Sequence, residues 1–105
     1  MTDEKSAITY ISYLKVDELL SLQQPESDGE HDEMLFIIIH QTYELWFKQI
    51  LHEVAALQPA LEAGDTHRSL AILKRVRTIM KTLVGQLDIL ETMTPLQFNT
   101  FRGRL

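Results

Sequence analysis

The hydrophobic positions between Met34 and Leu57 follow the period of a long helix. Apolar side chains recur there at helical spacing and form one broad stripe, made of Leu35, Ile38, Ile39, Leu45, Trp46, Ile50, Val54 and Leu57. The segment is too long, and too helical in its period, to be a strand. Six consecutive apolar residues at its start leave that part without a polar face. We therefore expect it to be buried on all sides, in this chain or against a partner.

Capping and turn residues delimit this first long helix. Ser27 and Glu30 have the spacing of a capping box, so the helix is expected to start near them. Pro59 lacks a backbone N–H and is expected to kink or end the helix. Gly64 and Asp65 follow as a helix stop and as the N-cap of a new helix.

A second long helix is predicted from about Thr66 to Thr92. Its apolar side chains keep a regular stripe, made of Leu70, Leu73, Val76, Ile79, Met80, Leu83, Leu87 and Leu90. Its basic side chains are expected to face solvent, and these are Lys74, Arg75, Arg77 and Lys81. The two helices indicate an all-α fold, a bundle of long helices.

Both flanks of the helix pair carry signals for further helices. Near the N-terminus, Val16, Leu19 and Leu20 repeat at helical spacing and predict a short helix that Pro25 closes. Near the C-terminus, Thr-Pro-Leu-Gln at residues 94–97 provides a cap residue, a proline at the first helical position and a glutamine. The third long helix that this segment opens is cut short by the end of the chain.

Length, charge and cysteine content narrow the class of protein. The chain has 105 residues, enough for one core, with residues 1–26 as an N-terminal arm and residues 27–105 as the helical core portion. Fifteen acidic and ten basic residues give a net charge of −5, which argues against a nucleic-acid partner. There is no cysteine for a disulfide or a thiolate metal site. No apolar run approaches the ~20 residues of a membrane helix, so we expect a cytoplasmic protein.

His40 is the candidate for chemistry, because it ends the most apolar run of the chain. Phe36 lies four residues before it and shares its helix face, and Tyr43, Glu44 and Phe47 continue nearby. An aromatic ring one turn from an imidazole can line a pocket for a flat, apolar ligand. The alternative is a core histidine that is hydrogen-bonded to Glu44, and spacing alone favours this alternative.

The same helix carries two residues that could form part of a metal site. His40 and Glu44 are spaced so that both can reach one ion. The di-iron bundle signature Glu-x-x-His is absent, and the other histidines are scattered over different faces and loops, at His31, His52 and His67. We expect no first-row metal to be bound by this chain alone.

Two arginines near the C-terminus form the second candidate site. Arg102 and Arg104 share the predicted helix start with Phe98 and Phe101. An arginine beside aromatic rings can bind a carboxylate through two parallel hydrogen bonds. The alternative, two solvated arginines at a helix end, is favoured without further context.

Four motifs in series resemble the tryptophan 2,3-dioxygenase family. FIIIHQTYELWFKQILHE is similar to the hallmark helix of that family, and HDEMLF is similar to the segment that leads into it. YISYLKVDELLSLQQP resembles its N-terminal Tyr-x-x-Tyr-Leu segment, and ILETMTPLQFNTFRGRL resembles its Leu-Glu-Thr-Met-Thr…Phe-Arg stretch. The motifs occur in the family's order and cover nearly the whole chain.

The resemblance implies an activity and assigns roles to residues. Members of the family use haem b to insert both atoms of dioxygen into the indole ring of L-tryptophan, which gives N-formylkynurenine. His40 falls on the distal histidine, which can hydrogen-bond the indole N–H, and Phe36 falls on the aromatic residue packed against the substrate. Arg102 falls on the residue that holds the substrate carboxylate, with Phe98 beside it. Residues that close the pocket from a neighbouring subunit are matched by Tyr10, Tyr13 and Leu14.

Length is the main departure from the family. Its members are well over twice as long, and their proximal histidine, the axial haem ligand, has no match among the histidines of this chain. The chain is therefore expected to be an incomplete N-terminal part of a dioxygenase. The competing interpretation is a non-catalytic helical oligomerisation module made from the same helices.

An oligomer is expected on physical grounds and from the resemblance. One neighbouring helix cannot cover the apolar start of the first long helix, and the family forms homotetramers. The surface expected to be buried between subunits includes Leu35, Ile37, Ile38 and Trp46, with exchange of the Tyr10–Leu20 segment as one arrangement.

Overall fold

Four helices make up the part of the chain that the structure, a computed structural model, describes, which is residues 8–93. They are α1 (Tyr10–Leu14), α2 (Val16–Leu19), α3 (Glu33–Glu62) and α4 (Thr66–Leu90). No strand occurs within residues 8–93, and the prediction of an all-α fold is confirmed. The predicted helix start at residues 94–97 lies outside the described residues.

A tight turn joins α3 and α4 into a helical hairpin. Gly64 has φ +71°, a left-handed conformation that glycine adopts without strain. Its N–H donates to the Leu61 carbonyl at 3.0 Å, and the Asp65 N–H donates to the Ala60 carbonyl at 2.9 Å. These two bonds form the Schellman motif that closes a helix. Asp65 then caps α4, since its carboxylate accepts from the Arg68 N–H at 3.0 Å. The predicted stop and restart are confirmed.

Pro59 lies in the last turn of α3 but does not end the helix, which continues to Glu62. A proline removes one intrahelical donor, and its ring crowds the carbonyl one turn earlier. The rest of the last turn remains bonded, with the Ala63 N–H donating to the Pro59 carbonyl at 2.9 Å. Ala60 is buried beside it. The Schellman turn, not the proline, therefore ends the helix.

The start of α3 also differs from the prediction, because Ser27 and Glu30 do not cap it. The helix begins at Glu33, and its N-cap residue Asp32 makes no side-chain cap bond. Ser27 instead donates to the Glu33 carboxylate, through its N–H at 2.9 Å and through its hydroxyl. The Glu26 N–H donates to the same carboxylate at 2.9 Å. The Glu33 carboxylate is charged and accepts from two backbone N–H groups, so it is a stronger partner for Ser27 than a capping box would be. These hydrogen bonds also hold the preceding loop against the helix.

The contact between α3 and α4 forms the core of the described part. Its fully buried apolar side chains are Ile39, Ala60, Ile72, Ile79 and Met93. Two polar links cross the same interface. The Tyr43 hydroxyl donates to the Leu83 carbonyl at 3.3 Å. Glu53, which is buried, accepts from Arg75 at 3.3 Å and from Gln49 at 2.7 Å. These links fix the register of the hairpin and so the orientation of α3.

The hairpin leaves much of its apolar surface uncovered. In the apolar start of α3, Ile39 is buried, whereas Met34 and Ile38 are exposed. On α4, the predicted stripe merges two faces: Val76 and Ile79 turn towards α3, while other members of the stripe are exposed, namely Leu70, Leu73, Met80 and Leu87. The stripe also missed Ile72, which is buried. One partner helix covers only one face of each helix. The four basic residues predicted on the solvent side of α4 are exposed, as expected.

The N-terminal arm folds as two single-turn helices with a break between them. Thr9 and Ser12 form a capping box that starts α1. Lys15 ends α1 and precedes α2 with φ 54°, a left-handed conformation that is uncommon for a residue with a side chain. The short helix predicted around Val16–Leu20 is confirmed. The helix ends at Leu19, well before Pro25. The Ser21 hydroxyl donates a hydrogen bond to the Glu18 carbonyl in its last turn, at 2.6 Å.

Candidate functional site

His40 lies on an exposed face of α3, and its ring is bonded to its own helix. Its Nδ1 is 2.7 Å from the Phe36 carbonyl oxygen. A carbonyl oxygen only accepts hydrogen bonds, so Nδ1 carries the proton in this contact. In the tautomer that carries only this proton, Nε2 has an unshared electron pair. The expectation of a core histidine bonded to Glu44 is wrong, because the side chain is exposed and its partner is Phe36.

A row of aromatic rings runs along α3 on both sides of His40. The Phe36 and His40 ring centroids are 4.2 Å apart, with 36° between the ring planes. Tyr43 meets the imidazole edge-on at 6.3 Å and stacks on Phe47 at 6.2 Å. Spacings of three and four residues place these side chains on neighbouring positions of one helix surface. The Tyr43 hydroxyl joins the row to α4, so the rings have a fixed support.

A cavity of about 440 Å³ opens beside His40. The volume lies within the range of sites for small organic ligands. From the N-terminal arm, Leu19 and Leu22 form one wall, and the remaining lining residues come from α3: His40, Gln41, Glu44, Leu45 and Lys48. The cavity therefore combines apolar walls with an imidazole that has a free acceptor, and Glu44 and Lys48 contribute one charge of each sign.

The other predicted site residues lie elsewhere in the structure or beyond its described part. Tyr10, Tyr13 and Leu14 lie on α1, where all three are exposed, and none of them lines the cavity beside His40. Phe98 and Arg102 lie outside the described residues. Of the predicted site residues on α3, Phe36 and His40 are in ring contact.

Sequence reasoning missed the wall that faces His40. Leu19 was interpreted only as part of a helical repeat, and neither Leu22 nor Gln41 was singled out. The two leucines line the cavity because the chain folds back between α2 and α3. Hydrophobic periodicity in the sequence does not predict such a long-range contact. The one available signal was the position of Gln41 next to His40.

Residues 8–93 contain no group of three or more potential ligands among His, Cys, Asp and Glu side chains that could hold a metal ion. His31, His52 and His67 are exposed and lie in the loop before α3, on α3 and in the first turn of α4. Within the same range, no helix is apolar over a long enough span to cross a membrane.

A cavity with mainly apolar walls and a few polar groups, such as the one beside His40, is the usual form of a site for a small organic ligand. Comparison with known proteins gives the family. The sequence profile of the tryptophan 2,3-dioxygenase family matches residues 1–105. The chain belongs to this family.

Its relatives include tryptophan 2,3-dioxygenases from three bacteria. The protein from Herpetosiphon aurantiacus is 64% identical over 94% of this chain and 38% of its own length. The protein from Anaeromyxobacter sp. (strain K) is 59% identical over 100% and 40%, respectively. That from Nocardioides sp. is 50% identical over 98% and 40%. The chain thus spans about two fifths of the length of the curated relatives it matches.

Proposed function

We propose that the complete protein, of which this chain is the N-terminal part, is a haem-dependent tryptophan 2,3-dioxygenase of the cytoplasm. It inserts both atoms of dioxygen into the indole ring of L-tryptophan and releases N-formylkynurenine, the first product of the kynurenine pathway. The observation that supports this most is the geometry of His40. Its Nδ1 is committed to the Phe36 carbonyl at 2.7 Å, and its Nε2 is available beside an apolar cavity.

His40 recognises the single polar atom of the indole ring. In the neutral tautomer that the Phe36 carbonyl selects, Nε2 accepts a hydrogen bond from the indole N–H. A site built around such a bond discriminates against an analogue without the N–H, because its acceptor is then left unpaired. We assign Phe36, whose ring packs on the imidazole, to the aromatic surface against the substrate, as the family resemblance implies.

The carboxylate of the amino acid requires a cationic partner. We assign this role to Arg102, whose guanidinium can bind a carboxylate through two parallel, charge-assisted hydrogen bonds. Phe98 lies one helical turn before it in sequence and is assigned to the apolar surroundings of the same contact.

The residues present are compatible with one wall of a haem site. The row of Phe36, His40, Tyr43 and Phe47 is mainly aromatic and is joined to α4 through the Tyr43 hydroxyl. Nδ1–H donation to a backbone carbonyl also occurs in histidines that bind metals through Nε2, so geometry alone allows either role for His40. We assign it to the side of the substrate and the axial ligand to the part of the family's length that lies beyond this chain. When bound, the haem supplies the oxygen chemistry, and His40 orients the substrate.

The assembly is proposed to be a homotetramer in which α1, the first helix of the N-terminal arm, completes a neighbouring site. Tyr10, Tyr13 and Leu14 are exposed on α1 and do not line the cavity beside His40 in their own chain. Apolar side chains that face outwards in this way are typical of a subunit interface. The exposed apolar surface of α3, which includes Ile38, supports the same arrangement.

Haem titration followed by a tryptophan turnover assay tests the function. The assay is done on this chain and on a longer form that includes the remaining length of the family. We expect the longer form to bind haem and to release N-formylkynurenine. A longer form that binds no haem would refute the proposal and leave the alternative, a non-catalytic oligomerisation module.

A further inference from the structure

Side-chain amides tie the N-terminal arm to α3 next to His40. The Gln41 Nε2 donates to the Leu22 carbonyl at 3.0 Å. The Gln41 Oε1 accepts from the Gln23 Nε2 at 2.8 Å, and the same Gln23 nitrogen donates to the Leu19 carbonyl at 2.9 Å. Gln41 thus uses both its donor and its acceptor on a segment that lies 18 and 19 residues earlier in the chain.

This connection holds the wall that faces His40. Leu19 and Leu22 form that wall, and they remain 41% and 60% exposed. Because these two side chains are only partly buried, apolar contacts hold the segment to α3 only in part. Hydrogen bonds supply much of the remaining attachment. Gln41 lines the same cavity, one position after His40, and it therefore sets how far the wall stands from the imidazole.

We propose that Gln41 is a positioning residue that determines which ligands fit beside His40. It acts through Leu19 and Leu22, by holding the segment from Leu19 to Gln23 across the cavity. The inference rests on the proposed function in one respect, which is that the ligand is an indole amino acid. A wall held by these hydrogen bonds favours an unsubstituted indole ring, because a ring that carries an additional group must displace the wall and break the bonds that hold it.

The first test measures the attachment itself, in the full 105-residue chain and without haem. Gln41→Leu keeps a side chain of similar size and removes both hydrogen bonds. Gln58→Leu is the matched control, since Gln58 lies on the same helix and its amide bonds only to the nearby Glu62. Amide hydrogen exchange at Leu22, whose N–H bonds to the Leu19 carbonyl, should accelerate on the order of tenfold in Gln41→Leu, the factor expected for two neutral hydrogen bonds. The control should exchange at the wild-type rate.

A compensating pair of substitutions separates positioning from general damage. Gln23→Lys combined with Gln41→Glu replaces the amide contact by an ion pair between the same two positions. The carboxylate of Gln41→Glu cannot donate to the Leu22 carbonyl, so the ion pair replaces only the contact with position 23. We therefore expect exchange at Leu22 to be slower in the double variant than in Gln41→Glu alone. Exchange that is unchanged in Gln41→Leu, or equal in Gln41→Glu and the double variant, overturns the proposal.

The second test uses the complete dioxygenase with L-tryptophan and with tryptophans that carry a methyl group on the indole ring. In Gln41→Leu, KM for L-tryptophan should rise with kcat unchanged, and the preference for the unsubstituted ring should decrease. The double variant should restore both. Fast exchange at Leu22 together with unchanged KM and preference would overturn the positioning role. A wild-type protein without turnover would refute the proposed function instead, and the exchange comparison would then decide on Gln41 by itself.

Discussion

Glu33 is expected to be the most important carboxylate for the stability of the described part. It is 4% exposed and accepts hydrogen bonds from the Glu26 N–H, the Ser27 N–H and the Ser27 hydroxyl. Hydrogen bonds to charged groups contribute about 1.5–3 kcal/mol each. In Glu33→Ala the loop can open, so its donors recover water and the three contributions are not lost in full. We therefore expect the free energy of unfolding to fall by about 2–4 kcal/mol.

Two further substitutions calibrate this value. Glu33→Gln keeps the size of the side chain and one acceptor oxygen but removes the charge, and it should lower the free energy of unfolding by about 1–2 kcal/mol. Glu62→Ala is the control, since Glu62 is exposed on the same helix and accepts only from Gln58 at 3.3 Å. It should stay within about 0.5 kcal/mol of the wild type.

Urea denaturation of the 105-residue chain, followed by helical circular dichroism, measures the three variants. All are compared at one protein concentration, because the stability of an oligomer depends on it. Equal stabilities of Glu33→Ala and Glu62→Ala would refute the reasoning, since they would show that the bonds from Glu26 and Ser27 contribute nothing beyond what water provides.

Four further predictions concern the site and the hairpin. In the complete enzyme, His40→Ala should lower turnover and retain haem, as followed by its absorption spectrum; loss of haem would place His40 on the axial side instead. Arg102→Ala should mainly raise KM for tryptophan, by the equivalent of about 1.5–3 kcal/mol. An unchanged KM would show that Arg102 does not bind the substrate carboxylate. Asp65→Ala should destabilise the chain by about 1 kcal/mol in urea, through loss of the α4 cap. Gly64→Ala should cost about 1–2 kcal/mol from left-handed strain alone, since nothing lies within 4 Å of the added methyl group; a neutral effect would contradict that account.

The local features of the fold could be predicted from sequence because their causes are local. Gly64 and Asp65 signal a turn whose bonds lie within a few residues. The aromatic row on α3 follows from spacings of three and four residues. The sequence therefore predicts that Phe36 and His40 share a helix face, and their rings are in contact.

The errors arose where a local signal competed with another partner. Ser27 has the spacing of a helix cap, but the carboxylate of Glu33 is a stronger acceptor for its donors. Pro59 removes one hydrogen bond, and the remaining bonds of the last turn continue the helix. His40 was paired with Glu44 by spacing, whereas the Phe36 carbonyl lies at 2.7 Å on the same helix.

The cavity wall could not be predicted, because it depends on which parts of the chain meet in three dimensions. Leu22 and Gln41 are 19 residues apart, and their bond exists only once the arm has folded back onto α3. Hydrophobic period assigns residues to a helix face but does not state which segment covers that face. The roles of Phe98 and Arg102 remain predictions, since both lie outside the described residues.

The left-handed backbone conformation of Lys15 determines the direction of α1 relative to α2. A single residue at φ 54° separates α1 from α2, so the direction in which α1 leaves is set by one pair of backbone angles rather than by a flexible linker. Because only one residue joins α1 to α2, α1 loses little conformational entropy when it docks against another subunit. Exchange of α1 between subunits would then carry a small entropic penalty, and Tyr10 and Tyr13 would reach a neighbour's pocket as one preorganised unit.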